Sequence, residues 1–337
     1  MMYWVTIPGL LACAFISVRY CGLMRERLCQ VAGGLRSVLY AIGLGMTSPA
    51  SRRESLEMTS TLMAKGVSPT AVLAYFIASR SLGLYFLLFF TVLIGLEFGL
   101  GILLGGLVMI LLTVISTASI RLFPPPKKLA GETPSVKSRE DLRTTWRVLL
   151  LSGRGWWAAV KDIGHIFNIL WLPSFGGLLL GGLILAVDMR KSWPLPLWLG
   201  DEGVGPAIAS AFLGPLLSSV SFSSPLGNLI VVASIWKTWT LAYPGIISFV
   251  LAGSISPLNV RSLMNLRSRR AGWYVTAVLY LSAALGGLAV IGLFELFGLE
   301  VTHVPWFEPL VKKIMMMIPF TMLGTGGMGL MGKMTGM

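Results

Sequence analysis

Apolar positions along the chain gather into long runs separated by short polar interruptions. Residues 2–18 form the first run, and 98–120 form a span of about the ~20 residues a bilayer demands. Residues 29–51 are apolar but interrupted by Gly33, Gly34, Arg36 and Pro49, and the polar stretch SRRESLEMTSTLMAKG follows at 51–66. The run from 67 to 96 is broken by Ser79, Arg80 and Ser81. Further on, 163–187 spans again, with Gly177 and Gly181 supplying a GxxxG packing face. Residues 204–236 are broken at SSVSFSSP and Asn228, 241–258 end at LAGSISP, and 271–297 form a last long span. Strand-type alternation is absent, which excludes a β-barrel. The pattern predicts an all-α, polytopic helical membrane protein.

Hydrophilic segments divide the runs. The linker 123–147 opens with Pro124, Pro125 and Pro126, which end the preceding helix, and is rich in Lys and Arg. Trp146, Trp156 and Trp157 among basic residues mark 146–162 as an interfacial helix. Five parts are expected: an N-terminal transmembrane helix (1–28), a first permease repeat (29–122), a cytoplasmic linker with the interfacial helix (123–162), a second repeat (163–297), and a C-terminal segment with a Met/Gly-rich tail (298–337). The first run lacks a charged n-region and is followed by Arg19, Arg25 and Arg27, so it reads as a retained span with an outside N-terminus rather than a signal peptide.

Composition agrees. Of 337 residues, 55% are hydrophobic and only 12% charged, against about 25% in an average soluble domain, so much of the surface must face lipid. The net charge of +13 is read as cytoplasmic loops meeting anionic lipid. No basic segment is interleaved with stacking aromatics, so nucleic acid is not an expected partner. Cys13, Cys21 and Cys29 lie within the first thirty residues and are read as packing residues. With two histidines and no Cys/His cluster, neither metal nor cofactor is expected.

Two stretches overlay without gaps at an offset of 174: AVLAYFIASRSLG (71–83) faces GIISFVLAGSISP (245–257). The turn near Glu97 is expected outside, while its counterpart, the Arg267–Arg270 cluster, belongs inside by the positive-inside rule. Corresponding points on opposite sides define an inverted-topology repeat, and paired broken helices in such repeats point to a site near the midplane.

The first break carries Thr47, Ser48, Ser51 and Glu54, and beyond it lie Ser79 and Arg80; the second carries Ser219, Ser221, Ser224 and Asn228, and beyond it lie Ser256 and Asn259. Serine and proline free backbone groups that survive at membrane depth only within protein or a watery cavity. Hydroxyls and opened helix ends bind small polar solutes, though serines also simply join helices. Ionisable residues such as Glu54 and Arg80 are costly in a span and usually functional, though the two could also pair structurally. Asp162 and His165, one turn apart, suit either a proton relay or a plain interfacial pair. The glycines at 324, 326 and 329 and the Gly327–Lys333 run imitate nucleotide loops, but Met334 stands where Ser or Thr must hold magnesium and no strand precedes them. The methionines of the tail are read as lipid-facing rather than as Cu(I) ligands. No Ser/His/Asp, Cys/His or paired-carboxylate arrangement stands out, so the chain is not expected to be an enzyme.

The runs AKGVSPTAVLAYFIAS (64–79) and PGIISFVLAGSISPLN (244–259), with the Ser/Pro breaks upstream, resemble the predicted permease family that includes the organoarsenical efflux permeases. The resemblance covers roughly residues 29–290. It implies an inverted-repeat permease that exports a small solute. Where that family often carries a Cys-Ser-Cys-Gly motif, this chain has Gly45 and Thr47, then Ser219 and Ser221, and Ser254 replaces a proline that is displaced to Pro257. Soft, thiophilic substrates are therefore not implied.

The expected function is a multi-pass permease of the plasma or inner membrane, moving a small solute or ion between the two breaks. The alternative is a non-transporting subunit with a permease-like fold that scaffolds a larger membrane complex. Partners expected are the lipid bilayer and the solute, with homo-oligomer or membrane-complex contacts left open. The basic-residue distribution places 19–28, 123–147 and 261–270 in the cytoplasm, and 188–203 and 298–308 outside. A single cysteine introduced at Asn265 should resist an impermeant thiol reagent in intact cells and react after permeabilisation; labelling in intact cells would overturn the topology.

Overall fold

A computed structural model describes residues 3–31, 33–48, 52–119, 150–187, 199, 203–220, 225–238, 240–255, 259 and 269–298. Among them the regular structure is helical, in the order α1 (Tyr3–Gln30), α2 (Leu35–Thr47), α3 (Arg52–Ala64), α4 (Pro69–Ser81), α5 (Leu84–Leu93), α6 (Leu96–Ser119), α7 (Gly153–Val187), α8 (Val204–Val220), α9 (Pro225–Thr238), α10 (Tyr243–Leu251) and α11 (Arg269–Phe297). A 3-10 turn, Ala252–Ser254, extends α10.

Four helical stretches among the described residues are long and apolar enough to cross a membrane: Thr6–Gln30, Pro69–Leu93, Leu96–Ala118 and Arg269–Phe297. The second is not one helix. Ser68 precedes α4 with Pro69 at the first helical position, where a missing N–H costs nothing. The helix then stops at Leu82, whose N–H still reaches the Ala78 carbonyl at 2.9 Å, and Gly83 starts α5. The polar patch Ser79–Ser81 thus lies directly before the break, as its sequence suggested. The polar stretch after Pro49 forms α3, with Glu54 in its first turn, where a carboxylate suits the positive end of the helix dipole. The expected interfacial helix and the span after it run on without interruption as α7.

The core is built around two short helices. Every residue of α10 is buried, and so is the unbroken run Ala71–Ala78 of α4. At 1.5 Å per residue, the 9 residues of α10 reach only about 14 Å and the 13 of α4 about 20 Å, against a hydrocarbon layer of about 30 Å. Neither can cross alone, and both end inside protein. α2 packs on α4, α8 packs on α10, and α6 and α11 lie against each other beside them. Thr113 on α6 and Ser282 on α11 share a hydroxyl–hydroxyl bond of 3.1 Å. The GxxxG face of α7 meets α9, with Gly177 against the Gly227 backbone and Gly181 against Ser234 and Ile230. A smaller cluster joins α1, α5 and α7 through Cys13, Phe15, Tyr85 and Ala159. The exposed apolar residues Leu107, Leu111 and Ile115 on α6, and Leu178, Leu179 and Leu183 on α7, form faces suited to lipid.

Gly45 sets the α2–α4 approach. A Cβ there would fall 2.6 Å from Ala78 Cβ and 2.8 Å from the Ser79 nitrogen, so main chain must move. Gly45→Ala should therefore destabilise the protein by about 1–3 kcal/mol. Gly164→Ala, on α7 with nothing within 4 Å, should be neutral or gain up to about 1 kcal/mol. Thermal unfolding of the purified protein in detergent checks the pair; equal midpoints would remove close packing as the reason for glycine at 45.

Candidate functional site

The ends of α4 and α10 meet. The Ser81 hydroxyl, in the last turn of α4, donates to the carbonyl oxygen of Leu251, the last residue of α10, at 3.1 Å. Both residues are fully buried. Helix ends leave carbonyls without intrahelical partners, and at a buried end other donors must meet them. Here a side chain 170 residues away in sequence does so.

The turn after α10 collects the remaining polar groups. Ile255 N–H donates to the Ala252 carbonyl at 2.7 Å, closing the 3-10 turn. Asn259 donates its side-chain amide to the Ser254 carbonyl at 2.8 Å. The Asn228 amide, on α9, lies against Gly253, 3.5 Å from where a Cβ would sit. Both asparagines are buried. The Ser254 hydroxyl is fully buried and has no hydrogen-bond partner among the described residues. An orphaned hydroxyl of this kind costs roughly 1–3 kcal/mol, which a water or a solute would recover. Arg80, one residue before Ser81, is buried at 6% exposure. Ser79 bonds back to the Phe76 carbonyl at 3.0 Å and is half-buried.

The first break assembles a second polar group, nearer the surface. Thr47 bonds back into its own helix, to the Gly43 carbonyl at 2.8 Å. Ser48 ends α2, and next to it lies the hydroxyl of the buried Tyr75, without a well-aligned hydrogen bond and within electrostatic range of Cys21, Arg25 and Glu54. Glu54 reaches His165 on α7, Oε1 to Nε2, at 3.3 Å. Asp162 accepts a hydrogen bond from Tyr85 on α5 at 2.8 Å. The one-turn pair on α7 thus engages two different elements.

Of the residues singled out from sequence, Asn228 and Asn259 come together at the α10 turn beside the end of α4, where Arg80 lies. Thr47, Ser48 and Glu54 belong to the other group. Ser219 lies on the exposed side of α8 and bonds to the Leu216 carbonyl at 2.7 Å. Ser51, Ser221, Ser224 and Ser256 lie outside the described residues. Three participants were missed: Ser81, Ser254 and, as the partner of Glu54, His165. Ser81 stood in the polar patch already recognised, and Ser254 stood where the related pattern has proline; both signals were present. The His165 pairing had no local signal, since 111 positions separate it from Glu54.

Glu54 and His165 are 42% and 47% exposed, so their pair is screened by solvent. A double-mutant cycle with Glu54→Gln and His165→Asn, read by thermal unfolding, should give a coupling below about 1 kcal/mol. A larger coupling would show that the pair is shielded from solvent in the membrane.

No protein-family model and no solved structure matches the chain. The chain is 25% identical over 278 residues to a Mycobacterium tuberculosis protein named "Putative permease Rv2963". That alignment takes in 77% of this chain and 66% of the relative, so the chain spans just under two thirds of the relative's length. With its apolar helices of membrane-crossing length, the protein is a helical membrane protein with a protein named as a permease among its relatives.

Proposed function

We propose that the protein is a multi-pass permease that exports a small solute or ion, with its site where the two broken helices meet. The observation that carries this reading is the Ser81–Leu251 contact, which joins the end of α4 to the end of α10 deep in the protein. Around it stand the orphaned Ser254 hydroxyl and the amides of Asn228 and Asn259. Irregular backbone is tolerated at membrane depth where it lines a cavity or is buried in protein, and transport sites are built from such discontinuous helices. The likeness to a protein named as a permease supports transport rather than catalysis.

The arrangement also supports an inverted repeat. α4 and α10 carry the two sequence stretches that overlay at an offset of 174, each is buried, and each is packed by the helix before the preceding break. An antiparallel pair of such units brings like ends together, and the joined ends here are both C-terminal. The plasma or inner membrane is the proposed location, following the basic loops.

The test is water access to the junction. In a protein whose Cys13, Cys21 and Cys29 are replaced by serine, Ser254→Cys should react with a small charged methanethiosulfonate from one side of the membrane, although Ser254 is fully buried. Ser81→Cys serves if the first variant does not fold. Failure of both to react, in vesicles where a cysteine at Asn265 labels normally, would mean a dry, packed junction. That result would sink the transport reading and favour the scaffold subunit.

A further inference from the structure

Far from the junction, two helices begin side by side. α2 and α4 run parallel. Gly45, near the end of α2, would place a Cβ 2.8 Å from the Ser79 nitrogen, near the end of α4; Gly33, just before α2, would place one 3.9 Å from the Ser68 Cβ, just before α4. Each helix start carries roughly half a positive elementary charge, and its first N–H groups point out of the helix without intrahelical acceptors. The first bonds of α2 run from the Ser37 and Val38 N–H groups to the Gly34 carbonyl at 3.1 and 3.3 Å, and the first of α4 from Val72 to the Ser68 carbonyl at 3.0 Å. Among the described residues no side chain caps either start. Gly34 has none to offer, and the Ser68 hydroxyl accepts from the Thr70 hydroxyl at 3.4 Å instead.

A buried hydroxyl stands at the same place. Ser37, in the first turn of α2, is fully buried, and its hydroxyl has no hydrogen-bond partner among the described residues. It lies on the buried stripe Ser37, Ala41, Leu44 and Gly45, which meets α4 at Gly45. Helical side chains tilt toward the N-terminus, so this hydroxyl leans toward the end where Gly33 meets Ser68. Exposure falls on the way in. Gly34 is exposed, with nothing within 4 Å of a Cβ there, Ser68 and Thr70 are half-buried, and Ser37 is enclosed. Arg36, in the first turn of α2, and Lys65, three residues before Ser68, are exposed and add positive charge around this end. α1 ends nearby at Gln30, and Arg27 in its last turn offsets the negative end of that helix.

We propose that the paired N-termini of α2 and α4 form a phosphate-binding site with Ser37 as its innermost donor, and that an anionic phospholipid carries the phosphate. Outward-pointing N–H groups, a donor hydroxyl and surplus positive charge suit an oxyanion, and helix starts bind phosphate in this way. Leu35 and Leu39, 73% and 58% exposed, lie one turn apart beside the site and suit acyl chains. The C-terminal end of α4 is enclosed in protein, so this opposite end lies toward a membrane face, the one that the basic segment 19–28 assigns to the cytoplasm. The site stands apart from the α4–α10 junction, and it holds whether or not the chain transports.

The experiment is thermal unfolding of the full-length protein, purified in detergent, at fixed ionic strength. Three additions are compared: phosphatidylglycerol in mixed micelles, phosphatidylcholine in mixed micelles, and millimolar inorganic phosphate. Phosphatidylglycerol should raise the wild-type midpoint by several degrees over phosphatidylcholine, whose choline neutralises its own phosphate. Inorganic phosphate should give a smaller rise. Ser37→Ala should melt no lower than the wild type without additions, because it removes an unpaired buried hydroxyl, and should lose at least half of both rises. Arg36→Gln combined with Lys65→Gln, both at exposed positions, should weaken the phosphatidylglycerol rise as well. A rise with inorganic phosphate and none with phosphatidylglycerol would overturn the lipid as carrier and leave a site for the free anion. The site itself is overturned if neither addition raises the midpoint, or if Ser37→Ala keeps the full rise. Where Ser37→Ala does not accumulate as folded protein, Ser37→Cys, close in size and a weak donor, takes its place with the same expected loss.

Discussion

A helix that stops inside a membrane protein leaves carbonyls that neither lipid nor its own backbone can satisfy, and the arrangement of this molecule follows from two such ends. α4 and α10 are too short to cross a bilayer, and both are enclosed by other helices. Bringing their ends together lets one hydroxyl, Ser81, serve a carbonyl of the other unit. The same enclosure explains why α2 and α8 lie so close to them. Gly45 abuts the main chain at Tyr75 and Ser79, and Gly214 abuts Gly245, so that the end-to-end helices are walled from lipid without intervening side chains.

Close contact at glycine recurs where the outer helices meet. Gly286 on α11 would place a Cβ 2.8 Å from the Gly105 carbonyl on α6, and α7 meets α9 at Gly177 and Gly227. Packing and hydrogen bonds, rather than the hydrophobic effect, hold helices together in lipid, and both improve as backbones approach. The hydroxyl pair Thr113–Ser282 uses that proximity on α6 and α11. The apolar residues on the outside of α6 and α7 need no protein partner, since lipid is as apolar as they are.

Much of this was legible in the sequence because it is local. The runs gave the helices, and the patch at Ser79–Ser81 marked the end of α4 to within a residue of the observed stop at Leu82. The glycine pair at 177 and 181 pointed to the α7–α9 contact, since spacing alone puts both on one face. What was not legible depends on distant parts of the chain. Glu54 was weighed as a structural partner for Arg80, and its contact with His165 follows only from the course of α7 past α3. Ser254 drew notice only as a substitute for proline. Its importance comes from burial without a hydrogen bond, a property of the assembled turn rather than of the residue. The Met-rich tail and Ser51, Ser221, Ser224 and Ser256 lie outside the described residues, so those readings stand as expectations.

The two polar groups differ in how far water reaches them. Glu54 and His165 are half exposed, so water can replace either partner at little cost, and nothing about the fold requires them to stay paired. Ser81, Ser254, Asn228 and Asn259 are buried, and each polar atom there must be met by protein, water or solute. Ser254 is therefore the group most sensitive to what occupies the junction. In a dry junction its hydroxyl would remain a standing cost, and replacing it with alanine would tend to stabilise the fold; in a hydrated or solute-binding junction, the hydroxyl is one of the contacts that an occupant makes.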